Sequence, residues 1–546
     1  MPSRLYAPLL VVLASLAGAH AQAAEDTGLR VQLPASAPTA TSGRLLLFAE
    51  SAESALKRAK GGPVTTVDAG AFSPGASAAA MEISRIAPGK TQTLDVDAIA
   101  YPQAFSQLPD GDYYMQAVLD VERDDNYAGR DADDISSLPQ RVQLRRGHAT
   151  STFVLDQRLP LPSDAWNLPA QVPAVIRDAA PDTRAHTHEI DFVSAKLSAF
   201  WGRPVHMRGW VVLPPGYNDA GSARYPVVYQ THGFSSNYRK QVTAAIAIHA
   251  AMKRGEMPPM IVVMLDQAGP TGTHEFADSV NNGPWGAALT EELIPDLEQH
   301  YRMDSTPSGR LLTGHSSGGW AALWLQMRYP KLFGGAWATS PDPSDFHDFF
   351  GIDLYAAGAN VYRAKSGDAY PLMRDQGQVL STFEQFARME EVIGPLGGQM
   401  ASFEWVFSPR GADGRPQPLF DRSTGAVDPE VIAYWRDHYD IAHLITRDWA
   451  TLSPDLDGKI HVYVGGADTF YLDGAALRLK AALDNVGARS DVRIIPGKTH
   501  FDIYAVGNDE MALMKQIFSQ MYATPRPAAA ASAVSAETKT TGTSRE

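Results

Sequence analysis

From about residue 190 onward the chain alternates short apolar runs with longer stretches of helical periodicity. The runs at 211–213, 227–229, 261–265, 311–313, 336–338, 462–464 and 492–495 are the strand candidates. Several are continuous rather than alternating, as expected of strands covered on both faces, since a strand with one wet face is polar at every second position. Residues 289–301 and 319–329 read as helices between them. Strand and helix in alternation predict an α/β domain over residues 190–524, doubly wound around a mostly parallel sheet. Between about 341 and 451 the strand rhythm stops and mixed helix and loop signals replace it. An insertion there, at the carboxyl edge of the sheet, is expected to form a cap over the site which that edge carries.

The preceding stretch has another rhythm. Residues 25–158 hold short runs separated by polar turns, among them 30–33, 44–48, 113–118 and 151–155, with Asp110-Gly111-Asp112 as a turn. That spacing predicts a β-sandwich of immunoglobulin-like type. Pro160, Pro162, Pro169, Pro173 and Pro181 then mark residues 159–189 as an extended, semi-rigid linker. Residues 525–546 are rich in Ala, Ser and Thr and are expected to be disordered.

Two domains also suit the length, because 546 residues exceed the roughly 250–300 that one core serves. A net charge of −14 repels phosphate backbones and excludes nucleic acid as a partner. The first 24 residues have the three parts of a signal peptide: Arg4, an apolar core at 9–16, and Ala19-His20-Ala21. Cleavage is expected after Ala21 or a few residues later, with the mature protein periplasmic or secreted. The apolar core is short of the roughly 20 residues that span a bilayer, so no stable membrane insertion is expected. The absence of cysteine removes disulfides, thiolate nucleophiles and a lipid-anchored cysteine. No feature of the sequence sets an oligomeric state.

The sharpest chemical signal is Gly314-His315-Ser316-Ser317-Gly318, a G-x-S-x-G pentapeptide between a short apolar strand and an Ala/Leu/Trp-rich helix. In that context the serine sits on a strand-to-helix turn too tight for flanking side chains, at a helix N-terminus that favours developing negative charge. A serine hydroxyl needs a base to take its proton. The order along such a chain is serine, acid, histidine. His500 follows the last strand, with one helix beyond it, and is the candidate base. Asp468 follows the strand before, where it can orient the imidazole, with Asp473 in reserve as a helix cap. The backbone N–H groups of Ser317 and of Phe234, in the loop after 227–231, are the candidate oxyanion hole. His232, before Gly233, is expected to brace that loop.

These segments resemble the esterase D family of α/β-hydrolases: 213–217 (Leu-Pro-Pro-Gly-Tyr), 225–229 with His232-Gly233, 314–319, 466–470 (Gly-Ala-Asp-Thr-Phe) and His500-Phe501. The resemblance covers roughly 190–525 apart from the insertion. It implies an α/β-hydrolase fold and a triad of Ser316, Asp468 and His500, with Phe234 and Ser317 at the oxyanion hole. It is silent on substrate. The family includes formylglutathione hydrolases, siderophore esterases, feruloyl and acetyl-xylan esterases and mycolyl transferases, and the signal peptide argues against the first. The long insertion and the N-terminal sandwich depart from the cytosolic members.

Weaker features are weighed against plainer roles. Trp285 is a candidate wall of the acyl or leaving-group pocket, with interior packing as the alternative. Trp405, Phe407, Tyr434 and Trp435 form an aromatic wall or the core of a cap. Asp124, Asp125, Asp131, Asp133 and Asp134 suggest calcium by their number but lack EF-hand spacing, and a solvated acidic loop is favoured. Asp342, Asp345, His347 and Asp348 look like a ligand cluster, yet acyl transfer by serine needs no metal, and neither metal nor cofactor is expected. The reading is an exported serine carboxylic-ester hydrolase acting on acylated polysaccharide or small aryl or alkyl esters. Its rivals are an acyltransferase of the same fold, a siderophore esterase and a catalytically inactive binding protein.

Overall fold

A continuous apolar run must find cover on both sides, and the central strands do. The computed structural model describes residues 28–69, 75–121, 134–158 and 164–526. The expected leader, Asp124, Asp125, Asp131, Asp133 and the tail beyond 526 lie outside these. The large sheet has eight strands: β1 (Thr187–Val193), β2 (His206–Val212), β3 (Val227–Thr231), β4 (Ile261–Leu265), β5 (Arg310–His315), β6 (Gly335–Thr339), β7 (Ile460–Gly465) and β8 (Ser490–Ile495). Their order in space is β1-β2-β4-β3-β5-β6-β7-β8. β2 is antiparallel to both its neighbours and the remaining pairs are parallel. Along β3, Val227 and Tyr229 enter one core while Val228 enters the other; along β4, Ile261 and Val263 oppose Val262 and Met264 in the same way. The mixed, two-sided sheet is that of an α/β-hydrolase.

Six helices matter to the site: α1 (Ala174–Ala185), α2 (Val242–Lys253), α3 (Ser317–Arg328), α4 (Phe383–Ile393), α5 (Gln399–Phe407) and α6 (Ile441–Leu456). Two of these helices and one hairpin differ from the sequence expectation. The stretch expected to be an extended linker contains α1, which packs on α2, and ends in β1. Pro173 stands at the N-cap of α1 and starts it; Pro181 lies inside, where only one hydrogen bond is forgone. α6 packs on α3 as the crossover helix into β7, so the insertion proper ends near residue 440. The insertion also contains a hairpin, Pro371–Asp375 with Gln378–Thr382.

The N-terminal region holds two sheets that share one core. Leu29, Val31 and Phe153 of a three-stranded sheet face Leu45, Leu47, Met115 and Ala117 of a larger one. The strand Thr41–Ser51 also buries Leu46 and Phe48 on its opposite face, against Met389, Val392 and Ile393 of α4. The first half of α4 contributes Phe383 and Phe386 to the hydrolase core, so one helix belongs to two cores. Arg44 completes the joint. Its guanidinium donates to the carbonyls of Val392 at 2.8 Å and Glu391 at 2.9 Å. A cation is favourable there, since the last turn of a helix leaves carbonyls unpaired.

Candidate active site

β5 ends at His315 and α3 begins at Ser317, which leaves Ser316 alone in the turn with φ 58° and ψ −128°. A non-glycine residue held at positive φ stores strain, which persists only where the surroundings enforce it. They do here. A Cβ on Gly314 would meet the Gly318 carbonyl oxygen at 2.0 Å, and one on Gly318 would meet that of Thr231 at 2.4 Å. Backbone runs against backbone on both sides of the serine.

His500 and Asp468 come from loops after β8 and β7 and meet out of water. His500 is 4% exposed and Asp468 0%. Nδ1 of His500 lies 3.0 Å from Asp468 Oδ2, while Asp468 Oδ1 accepts from the Phe470 N–H at 2.9 Å. Burial pushes the Asp468 carboxyl up, but the hydrogen bond and charge of His500 and the Phe470 N–H outweigh it and hold it below the usual range. The neighbouring His315 ring lies 4.4 Å from that of His500. Burial, then the charge of His500, pushes His315 down to about 3, so it stays neutral. Asp473, the reserve acid, is occupied elsewhere: it accepts from Arg374 at 2.9 Å.

Ser316 and His500 line one cavity of about 340 Å³. Gly233 and Phe234 form its rim, and the Cβ position on Gly233 lies 3.1 Å from Ser316 Cβ, so the loop approaches the serine as closely as a glycine allows. His232 is tied to the Gly233 carbonyl and to Asp266, both at 2.8 Å, in a bracing position. Ser317 is fully buried behind the elbow. The apolar part of the wall is Phe350, Leu372, Phe386, Met400, Phe470 and Phe501, beside the polar Ser235, Ser236, Asp342 and Gln399. Most come from the insertion, which therefore does cover the carboxyl edge.

Trp285 is not among these walls, which corrects its candidacy. It is 8% exposed, stacks on His274 at 3.6 Å and donates to the Asn282 carbonyl at 3.0 Å. One face and the N–H are used in packing. Phe407 and Trp435 lie in the core of the insertion, 5.2 Å apart and in edge contact.

The residue that sequence reasoning misplaced is Asp342. It parts from Asp345, His347 and Asp348 and lines the cavity. Its Oδ1 accepts from the Ser316 hydroxyl at 3.4 Å; its Oδ2 accepts from Ser317 at 2.6 Å and from the Gln399 amide at 3.3 Å. Its place just after the carboxyl end of β6 is the available signal, because sites in open α/β sheets collect there. Burial pushes its carboxyl up to about 6, against the hydrogen bond from Ser317 and the charge of His500. Elsewhere, Asp182, His186 and His249 approach one another, but Asp182 already pairs with Lys253 at 2.8 Å and the two rings pack face to tilted face at 4.9 Å.

Residues 203–446 match the esterase family model, described as "Putative esterase". Esterase Rv1288 of Mycobacterium tuberculosis is 30% identical over 156 residues, 27% of this chain and 33% of that protein. S-formylglutathione hydrolase of Paracoccus denitrificans is 26% identical over 188 residues, 31% of this chain and 64% of its own. An S-formylglutathione hydrolase structure from Agrobacterium tumefaciens superposes with a TM-score of 0.36 at 16% identity, covering 62% of this chain and 95% of that one. The chain thus spans between 33% and 64% of the curated relatives it matches.

Proposed function

We propose that the protein is a serine carboxylic-ester hydrolase with Ser316 as nucleophile, His500 as general base and acid, and Asp468 as the group that orients His500. The observation that carries this reading is the sharing of one cavity by a strained Ser316 and by His500, whose other nitrogen is held by a buried carboxylate. His500 takes the Ser316 proton as the hydroxyl attacks the ester carbonyl, and the N–H groups of Phe234 and Ser317 receive the oxyanion. The alcohol leaves with that proton. A water activated by His500 then releases the acid and restores the serine. In the resting site the Ser316 hydroxyl donates to Asp342, so the first step includes its rotation towards His500.

The apolar walls support a hydrophobic acyl group on a small aryl or alkyl ester, or on an acylated polysaccharide. We include export in the proposal on the pattern of Arg4, residues 9–16 and Ala19-His20-Ala21; N-terminal sequencing of the mature protein tests it. No helix among the described residues is long and apolar enough to cross a membrane.

A fluorophosphonate probe tests the nucleophile. The expected result is one covalent adduct, mapped by mass spectrometry to Ser316 and absent from Ser316→Ala. An adduct on another residue, or none on native protein, contradicts the reading.

A further inference from the structure

A carboxylate buried in a binding cavity has to find its counter-charge somewhere, because an unpaired buried charge is strongly unfavourable. Asp342 is 4% exposed and faces the cavity beside the nucleophile. Its partners are two hydroxyls and an amide, all neutral. Among the described residues it makes no ion pair with a lysine or arginine, and His500, whose charge reaches it, is bonded through Nδ1 to Asp468. Glu275, also fully buried, is no counter-charge either: burial, then the charge of Asp342, pushes its carboxyl well above the usual carboxylate range. The side of Asp342 that meets the cavity is thus a hydrogen-bond acceptor of negative charge with no cation opposite.

We propose that Asp342 is a specificity-determining residue that binds an ammonium group on the acyl part of the substrate, so that the preferred substrates are esters of amino acids with apolar side chains. This rests on the serine-hydrolase reading and adds the substrate class to it. The geometry fits an α-amino group. Once Ser316 Oγ attacks, the α-nitrogen, two bonds from the carbonyl carbon, lies about 3 Å from Oγ by standard bond lengths. Asp342 Oδ1 is 3.4 Å from the same oxygen, so an α-nitrogen placed on the Asp342 side of the acyl group comes within hydrogen-bond reach of it. The other walls suit the rest of the molecule. Phe350, Phe386 and Phe470 line the cavity; aromatic rings take an apolar side chain and, face-on, also attract a cation. A neutral acyl chain would leave the carboxylate desolvated and unpaired in the closed complex.

The test compares two esters that differ only in the amino group: L-phenylalanine ethyl ester and ethyl 3-phenylpropanoate, near pH 7, where most of an α-amino group is protonated. Released acid is measured by chromatography. The expected kcat/KM ratio favours the phenylalanine ester by about tenfold or more, equivalent to one good charged contact. In Asp342→Asn that ratio falls towards one. A wild-type ratio of one or less overturns the inference whether or not the variant folds. So does a ratio that Asp342→Asn leaves intact, and so do equal losses on both esters, which mark Asp342 as a brace of the elbow only. If neither ester turns over but Ser316 still takes the fluorophosphonate label, this inference falls and the hydrolase reading stands. If the label is also absent, both fall.

Discussion

Arg44 and Val392 lie 348 positions apart in the chain and are joined by a hydrogen bond of 2.8 Å from guanidinium Nε to carbonyl oxygen. The first belongs to the N-terminal sheet and the second to the last turn of the helix that also places Phe386 in the cavity wall. The N-terminal domain is therefore a buttress of the cap. Arg44→Ala removes two hydrogen bonds to a helix end, costing about 1–3 kcal/mol locally. The expected outcome is faster amide exchange over residues 383–393 and a raised KM for octanoate esters, with kcat nearly unchanged. Unaltered exchange in that helix contradicts the buttress.

Asp468 rather than Asp473 holds the imidazole. Asp468→Asn keeps the shape but favours the wrong tautomer, and kcat is expected to fall on the order of 1,000- to 10,000-fold. Asp473→Asn loses its bond to Arg374 and is expected to change kcat by less than about tenfold. Steady-state kinetics on p-nitrophenyl butyrate distinguishes the two, and equal effects contradict the assignment.

Gly233 sets the approach of the Phe234 loop to Ser316. In Gly233→Ala the new methyl meets Ser316 Cβ at 3.1 Å and the His315 carbonyl at 3.3 Å. A displaced oxyanion donor is expected to lower kcat by roughly 100-fold or more, with the melting temperature little changed. Native kcat in this variant counts against Phe234 as an oxyanion donor.

Glu390 couples α4 to α5 by accepting from the Met400 and Ala401 N–H groups, each at 2.9 Å. Burial pushes its carboxyl up from 4.5 to about 7, against the charge of Arg422 and those two N–H groups. A raised carboxylate binds its proton more tightly in the folded state. Its contribution is therefore complete below about pH 4.5 and is lost as pH rises through about 7. Relative to Glu390→Gln, the wild type should lose up to about 3 kcal/mol across that window. Parallel melting curves at every pH from 4.5 to 8 contradict this.

Much of this architecture is legible in the residues alone. Runs such as Ile261–Leu265 reveal two-sided burial directly, and the glycines around Ser316 reveal the elbow because no other residue fits there. Asp468 and His500 follow from chain order, since each stands just past a strand in the sheet. What escapes is what depends on partners distant in sequence. The run 45–48 is as continuously apolar as β4, which signals cover on both faces, but its second cover comes from α4, far along the chain. Trp285 has the composition of a pocket residue and is consumed by His274. Asp342 reads as one acid among several until the end of β6 turns it towards Ser316. α1 hides behind prolines that elsewhere mark extended chain.

The central claim is that Ser316 forms an acyl-enzyme with an ester substrate. Its most direct test is rapid-mixing hydrolysis of p-nitrophenyl butyrate by wild type and Ser316→Ala. The account predicts p-nitrophenol release by the wild type, an acyl adduct of butyryl mass on Ser316 in acid-quenched samples, and neither in the variant. Ester hydrolysis that survives in Ser316→Ala would contradict it.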